Sequence, residues 1–101
     1  MATTIKALFR GVVTTTLTTT LYTVPAATLT QVTDIEIANP AATAVTATIS
    51  FDGVVFVPTV SIPANGQYSW NGKMPLGATK LIQGGSSVIT TTFHIGGVEI
   101  A

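Results

Sequence analysis

The stretch AVTATISFDGVVF, residues 44–56, is the most informative about the fold of this chain. Its first half alternates apolar and hydroxyl-bearing side chains, which is the period of a half-buried β-strand. Asp52-Gly53 then separates two apolar runs, and this dipeptide is a strong signal for a two-residue β-hairpin. The stretch therefore predicts two antiparallel strands joined at Asp52-Gly53.

A second alternating segment is LTQVTDIEIAN, residues 29–39. Strict alternation predicts that Ile35 and Ile37 point into the core. The opposite face of this strand is then formed by Thr30, Val32, Asp34 and Glu36. The segment TIKALFRGV, residues 4–12, alternates in the same way and predicts a first strand. Its two faces are Ile5, Ala7 and Phe9 on one side and Lys6, Leu8 and Arg10 on the other.

The rest of the chain reads as further short strands and turns. Pro58 predicts an edge strand or a bulge, KMPLGA (73–78) a loop, and GGS (84–86) a turn. A last strand over 87–100 is expected to be bent or bulged at Gly96-Gly97. About eight strands with turn signals roughly every 8–12 residues predict an all-β fold. We expect a single antiparallel β-sandwich, jelly-roll-like, with an immunoglobulin-like sandwich as the alternative.

The amino-terminal part differs from the rest because its threonine run, residues 14–20, specifies register weakly. We interpret residues 1–18 as an arm or edge strand, with 13–18 a connection or edge, and residues 19–101 as one sandwich domain. The first residues lack the apolar core of a secretory signal, so synthesis in a cytoplasm is expected. Lys6 and Arg10 are half of the chain's cations and make this segment a candidate docking element.

The composition excludes several classes of protein. The chain has 101 residues, no cysteine, 8% charged residues and a formal net charge of zero. Disulfide scaffolds and thiolate metal sites are therefore excluded, and four scattered cations argue against binding to nucleic acid. No apolar run approaches the ~20 residues that span a membrane. A threonine-rich, weakly charged surface favours a protein that lies against other subunits.

Asp34 and Glu36 are the first candidates for catalysis. Residues i and i+2 of a strand lie about 6.5–7 Å apart, close to the ~6.5–9.5 Å between the carboxyl groups of inverting glycosidases. A general acid, however, needs a pKa raised by burial, and these two carboxylates are expected on the outer face. His94 is the only histidine and is expected to be exposed or at an interface. We predict no enzyme, no cofactor and no metal site.

Tyr68 and Trp70 alternate on the segment GQYSWNG, residues 66–72. Such a pair can cover the open end of a thin core, contact another subunit, or stack on a ligand. The first reading is favoured because a sandwich of this size has a thin core.

Four segments resemble small structural proteins of tailed bacteriophages. They are LFRGVVTTTLTTTLYTVPA (8–26), VTDIEIANPAATAVTATISFDGVV (32–55), VSIPANGQYSWNG (60–72) and TTFHIGGVEI (91–100). The resemblance covers nearly the whole chain, although this chain has VPAA at 24–27 where many such proteins have VPAG. It implies a virion component present in many copies and no catalytic residues.

From this resemblance we expect a capsid decoration protein that is made in the host cytoplasm and binds the head as a symmetric oligomer. A trimer is favoured because capsid lattices offer local threefold points. The expected partner is the major capsid protein or another virion protein, with no nucleic acid and no membrane. The alternative is a tail, collar or fibre component, or a carbohydrate- or receptor-binding module that uses Tyr68 and Trp70. Candidate assembly contacts are Lys6, Phe9, Arg10, Asp34, Glu36, Tyr68 and Trp70.

Overall fold

The chain folds into strands that form two sheets. The computed structural model describes residues 3–101, so residues 1 and 2 of the predicted arm lie outside the described residues. The strands are β1 (Thr3–Val12), β2 (Thr20–Thr23), β3 (Leu29–Ala38), β4 (Val45–Phe51), β5 (Val54–Ile62), β6 (Gln67–Leu76), β7 (Leu81–Ser86) and β8 (Thr92–Ile100).

The strand order identifies the topology. The first sheet has the order β1-β8-β3-β6 and the second sheet β2-β7-β4-β5, and the paired strands are antiparallel. Two four-stranded sheets with this order, between which the chain passes repeatedly, form an eight-stranded jelly roll. The predicted antiparallel sandwich is therefore confirmed. The order differs from that of immunoglobulin-like domains, whose sheets hold strands ABED and CFG.

The hairpin predicted at Asp52-Gly53 is present. Asp52 and Gly53 both have positive φ, 52° and 75°, as a type I′ turn requires. Phe51 is paired directly with Val54 across this two-residue loop. Pro58 lies in β5, which is an edge strand, and the register with β4 shifts beside it, as Pro58 predicted.

The core between the sheets is mostly aliphatic. Valine and isoleucine from the inner faces of both sheets fill it, and Phe93 of β8 is its largest fully buried side chain. Burial of such side chains contributes roughly 1.5–3 kcal/mol each. Asn39, 1% exposed, ends the β3 region, and its side-chain nitrogen donates to the carbonyls of Thr43, Ile62 and Pro63. This amide fixes the loop that leaves the sandwich after β3.

The alternation predicted for β3 is right only after Thr33. Val32 pairs with Gly97 of β8, and Asp34 pairs with Gly96 of the same strand. Thr33 is therefore an extra residue in β3 that forms a bulge. A bulge reverses the faces of the residues before it. Thr30 and Val32 are consequently 0% exposed and point inward, so their predicted outward orientation is wrong. Ile35 and Ile37 point into the core as expected.

The alternation predicted for β1 fails for the same reason. Leu8 is an extra residue between Ala7, which pairs with Gly96, and Phe9, which pairs with Ile95. Leu8 is buried in the core, whereas Ile5 is 84% exposed. The bulges in β1 and β3 thus flank the same point of β8.

Two loop predictions are also wrong. Strand β6 continues through the predicted loop to Leu76, and β7 contains the predicted turn at Gly84-Gly85. The turn before β8 lies instead at residues 87–90. Glycine is required at these positions of β7 because other segments of the same chain approach too closely for a side chain. A Cβ at Gly84 would lie 2.5 Å from the carbonyl oxygen of Thr48 in β4.

The segment between β1 and β2 runs along the edge of β7. The amides of Ser86 and Gly84 donate to the carbonyls of Thr14 and Thr19. Val13 is 3% exposed and belongs to the core. Residues 3–18 therefore contribute to the sandwich as well as forming its edge.

Candidate functional site

The outer face of the first sheet carries a row of three polar side chains. Arg10 of β1 pairs with His94 of β8, and His94 pairs with Glu36 of β3. Phe93 and Ile95 on either side of His94 are buried, so His94 points away from the core as predicted. Arg10 and Glu36 are exposed and His94 is half-buried.

Asp34 occupies the next row, above Gly96. A Cβ at Gly96 would lie 2.6 Å from Asp34 Oδ1, so the carboxylate covers the glycine. The hydroxyl of Thr33 donates to Asp34 Oδ1 at 2.9 Å. A shallow depression of about 300 Å³ is lined here by Arg10, Asp34, His94 and their neighbours.

These charged groups do not pair with one another. Within residues 3–101 the ion pairs are Lys6–Glu99 and Lys80–Asp52, at 3.5 and 3.6 Å. Glu36 accepts instead from the side chain of Gln67 at 3.1 Å. Carboxylates on an open sheet face suit ion pairing with another molecule better than proton transfer, which requires burial to raise a pKa.

The opposite end of this face is aliphatic. Ile5, 84% exposed, lies beside Val98 of β8, and Leu29, 45% exposed, lies beside Ile100. We call these four residues the aliphatic end. The sequence did not predict it, because the bulges at Leu8 and Thr33 decide that Ile5 and Leu29 face outward.

A polar cluster joins the two sheets at the same end of the molecule, on the inner side. The hydroxyl of Tyr22, in β2, donates to the carboxylate of Glu99, in β8. The hydroxyl of Thr30, in β3, lies 3.0 Å from the Tyr22 oxygen, and the Lys6 ammonium pairs with the other oxygen of Glu99. Burial, and then the hydrogen bond to Glu99, raise the pKa of Tyr22 to about 12. We call Tyr22, Thr30 and Glu99 the sheet latch.

Sequence reasoning missed the sheet latch because its members are far apart along the chain. Tyr22 and Glu99 are separated by 77 positions. The sequence contained one weak signal for this cluster. Glu99 is the single acid in the otherwise apolar ending GGVEIA, and a carboxylate among apolar residues needs a polar partner.

The aromatic candidates point inward. Trp70 pairs with Ile35 and Tyr68 with Ile37, and both rings pack against the core. The Trp70 ring meets Phe56 of β5 edge-on, with ring centroids 5.0 Å apart, a favourable aromatic geometry. Phe9 also packs against the core. Tyr68 and Trp70 thus cover the core, as the favoured interpretation predicts.

The seven candidate assembly contacts are therefore divided. Arg10, Asp34 and Glu36 share the outer face of the first sheet. Lys6 lies at the end of the space between the sheets, and the three aromatic candidates face the core. Whether any of them contacts another subunit stays a prediction.

Metal and membrane signals are weak in the described part of the chain. Among residues 3–101 no three His, Asp or Glu side chains are close enough to hold a metal ion. The same residues include no helix long and apolar enough to cross a membrane.

Comparison of the chain with protein-family models, with curated proteins and with solved structures gave no match. The function proposed for it therefore depends on its residues and its geometry.

Proposed function

We propose that this chain is a non-enzymatic structural protein of a tailed-bacteriophage virion, which binds the capsid as a symmetric oligomer and stabilises the head. The resemblance described above supports this proposal. One structural observation carries it further: the free edge of β1.

The four edge strands differ in how open they are to another chain. Strand β2 has only four residues. Strand β5 contains Pro58 followed by Thr59 at φ 50°, and β6 contains Pro75 and a register shift near Gly72. Prolines and bulges block strand addition at an edge. In β1, by contrast, Thr3–Ala7 keep a regular register with β8.

Strand β1 therefore offers the most open edge for pairing with a strand of another protein. Ile5, exposed at the centre of this stretch, adds an apolar contact to the backbone hydrogen bonds. The proposed partner is the major capsid protein, and capsid symmetry favours threefold order for the bound copies. The carbohydrate-binding alternative has less support, because Tyr68 and Trp70 pack on the core instead of forming an exposed platform.

Co-sedimentation with heads that lack this chain tests the proposal. Such heads come from a phage whose genome encodes the chain, after deletion of its gene. The wild-type protein should sediment with the heads, and Ile5→Lys should not, because the substitution replaces the apolar contact of Ile5 with a charge at the paired edge. The matched control is Val54→Lys, which changes another exposed aliphatic side chain (69% exposed) on the β4–β5 hairpin. This variant should bind normally. Failure of the wild type to bind, or equal binding by Ile5→Lys, would contradict the proposal.

A further inference from the structure

We propose that the outer face of the first sheet binds a second copy of this chain, across a two-fold axis that runs along β8. The interface is isologous, so that each copy contributes the same patch. The inference goes beyond the virion role and does not depend on it.

The first argument is charge. Arg10 on β1 and Glu36 on β3 lie on opposite sides of β8 in one row. Neither forms an ion pair with another of the described residues of its own chain. Neighbouring strands are spaced about 4.8 Å apart, so the two spacings from β1 across β8 to β3 separate these residues by roughly 10 Å. The same sheet face therefore carries a positive group and a negative group at equal distances from β8.

A two-fold axis along β8 exchanges the two sides of this face. It places Arg10 of each copy opposite Glu36 of the other, which makes two ion pairs by symmetry. It also places Ala7, a small side chain, opposite Asp34, so the carboxylate that lies over Gly96 has room in the interface. Charge complementarity of this kind fixes the register of an interface.

The same axis places the β8 residues of the aliphatic end against themselves. Val98 and Ile100 lie on β8 and meet their own counterparts in the second copy. Leu29 lies opposite Thr3, and Ile5 opposite Gln31. Aliphatic side chains that are exposed in the single chain are thereby removed from water. Sheets that pack face to face keep their strands within about 30° of each other, which an axis along β8 satisfies.

The contact area predicts a weak and reversible dimer. Strands β1, β8 and β3 overlap in both copies, an area about 14 Å wide and 30 Å long. This gives roughly 900 Å² for the two copies together, at the low end of specific interfaces. We therefore expect a dissociation constant in the micromolar range and an equilibrium that depends on concentration.

Charge reversal in two separate variants tests the interface. Arg10→Glu and Glu36→Arg each place like charges opposite one another twice, and each alone should weaken self-association about 100-fold. An equimolar mixture of the two should recover association as a 1:1 heterodimer, measured by sedimentation velocity and native mass spectrometry. Recovery between chains cannot come from a contact inside one chain.

The control uses the same charge changes away from this face. Lys80→Glu and Asp52→Lys alter the ion pair at the edge of the second sheet. Each should dimerise like the wild type, and their mixture should show no preference for the heterodimer. A preference as strong as that of the Arg10→Glu and Glu36→Arg mixture would attribute recovery to net charge and overturn the proposal.

A second measurement uses the absence of cysteine from the chain. Val98→Cys lies on the proposed axis, so a short bismaleimide should link two copies efficiently. Ser69→Cys, on β6 of the same face, should link poorly because β6 lies outside the overlap. Equal linking of both variants, or a wild type that stays monomeric up to about 1 mM, would overturn the interface. A trimer as the sole oligomer would also overturn it and would leave the virion role standing, which the head-binding assay tests separately.

Discussion

The two sheets use their outer faces differently. On the second sheet, the backbone carbonyls of Thr14 and Thr16 lie over Gly85 of β7, and Thr48 of β4 is only 5% exposed. A Cβ at Gly85 of β7 would lie 2.6 Å from the carbonyl oxygen of Thr16. On the first sheet, the three atoms nearest to a Cβ at Gly96 of β8 all belong to the side chain of Asp34. Backbone of the chain thus covers part of the second sheet's outer face, around Gly85, whereas the atoms nearest to Gly96 on the first sheet belong to a side chain.

This difference indicates which face is available to other molecules. Where backbone covers a sheet face, the contacts between them are made when the single chain folds, so that part of the face is not available to another molecule. An open face with exposed Ile5 and Leu29 gains stability only from another molecule. The four predictions below test the difference, beginning with the covered face.

The largest effect is expected for Gly85→Ala. The atoms that a new Cβ would meet are backbone carbonyl oxygens of Thr16 and Thr14, at 2.6 and 2.8 Å. Backbone cannot move aside as a flexible side chain can, so we expect a loss of about 2–3 kcal/mol in the free energy of unfolding, measured by urea denaturation.

Gly77→Ala is the matched control, because a Cβ there would have no neighbour within 4 Å. It should change stability by less than about 0.5 kcal/mol. Equal stability of the two variants would show that residues 14–16 do not cover the second sheet tightly.

The sequence predicted the parts of this fold that local chemistry controls. The Asp52-Gly53 turn needs only two residues that accept positive φ, and Pro58 acts within its own strand. The bulges at Leu8 and Thr33 depend instead on how β1 and β3 meet β8, dozens of residues away. Local alternation cannot predict them, so the aliphatic end and the inward position of Thr30 were missed.

The glycine pairs show the same limit. Gly84-Gly85 looks like a turn in the sequence, yet both residues lie within β7. The cause is close approach by Thr48 and Thr16, which belong to other segments. For the candidate site, periodicity placed Asp34, Glu36 and His94 on an outer face, but only the strand order brings Arg10 beside them.

The second prediction concerns the sheet latch, which connects the two sheets. Tyr22→Phe removes the hydroxyl that Glu99 and Thr30 share. Because Tyr22 is only half-buried, we expect the low end of the range for a hydrogen bond to a charged group, about 1.5 kcal/mol at pH 7. This is less than the effect of Gly85→Ala. Urea denaturation of both proteins measures it.

The same pair of proteins gives a pH test. The pKa of Tyr22 is raised from 10.0 to about 12 on folding, so the folded state favours the protonated phenol. The stability from this group is fully present below about pH 10 and is lost as pH rises to about 12. Phenylalanine does not titrate. The difference in the free energy of unfolding between the wild type and Tyr22→Phe should therefore be constant up to about pH 9 and should fall to near zero at about pH 12. A gap that persists at pH 12 would contradict the role of Tyr22.

The third prediction concerns the open face. The new Cβ of Gly96→Ala would lie nearest to the Asp34 carboxylate, 2.6 Å from Oδ1. This side chain can rotate away, so we expect a loss of about 0.5–1 kcal/mol. Combination with Asp34→Ala should abolish the loss, which a double-mutant cycle measures. A loss as large as that of Gly85→Ala, or one that persists without Asp34, would remove the distinction between the two faces.

The smallest effect on the fold is expected when Asp34→Asn and Glu36→Gln are combined. Both carboxylates lie on the open face, and within residues 3–101 neither has a cationic partner. Surface substitutions usually change stability by less than about 0.5 kcal/mol, and removal of two like charges from one face relieves weak repulsion. Urea denaturation of the dilute, monomeric protein should therefore give a curve close to that of the wild type.

Self-association should respond differently, because the substitution removes the group that faces Arg10 of the second copy. We expect weaker dimerisation in sedimentation at high concentration, with less salt dependence than the wild type shows, since screening acts on the ion pairs that are lost. A large loss of stability in the monomer would place the two carboxylates inside the fold's own network. Unchanged dimerisation with unchanged salt dependence would remove Glu36 from the interface.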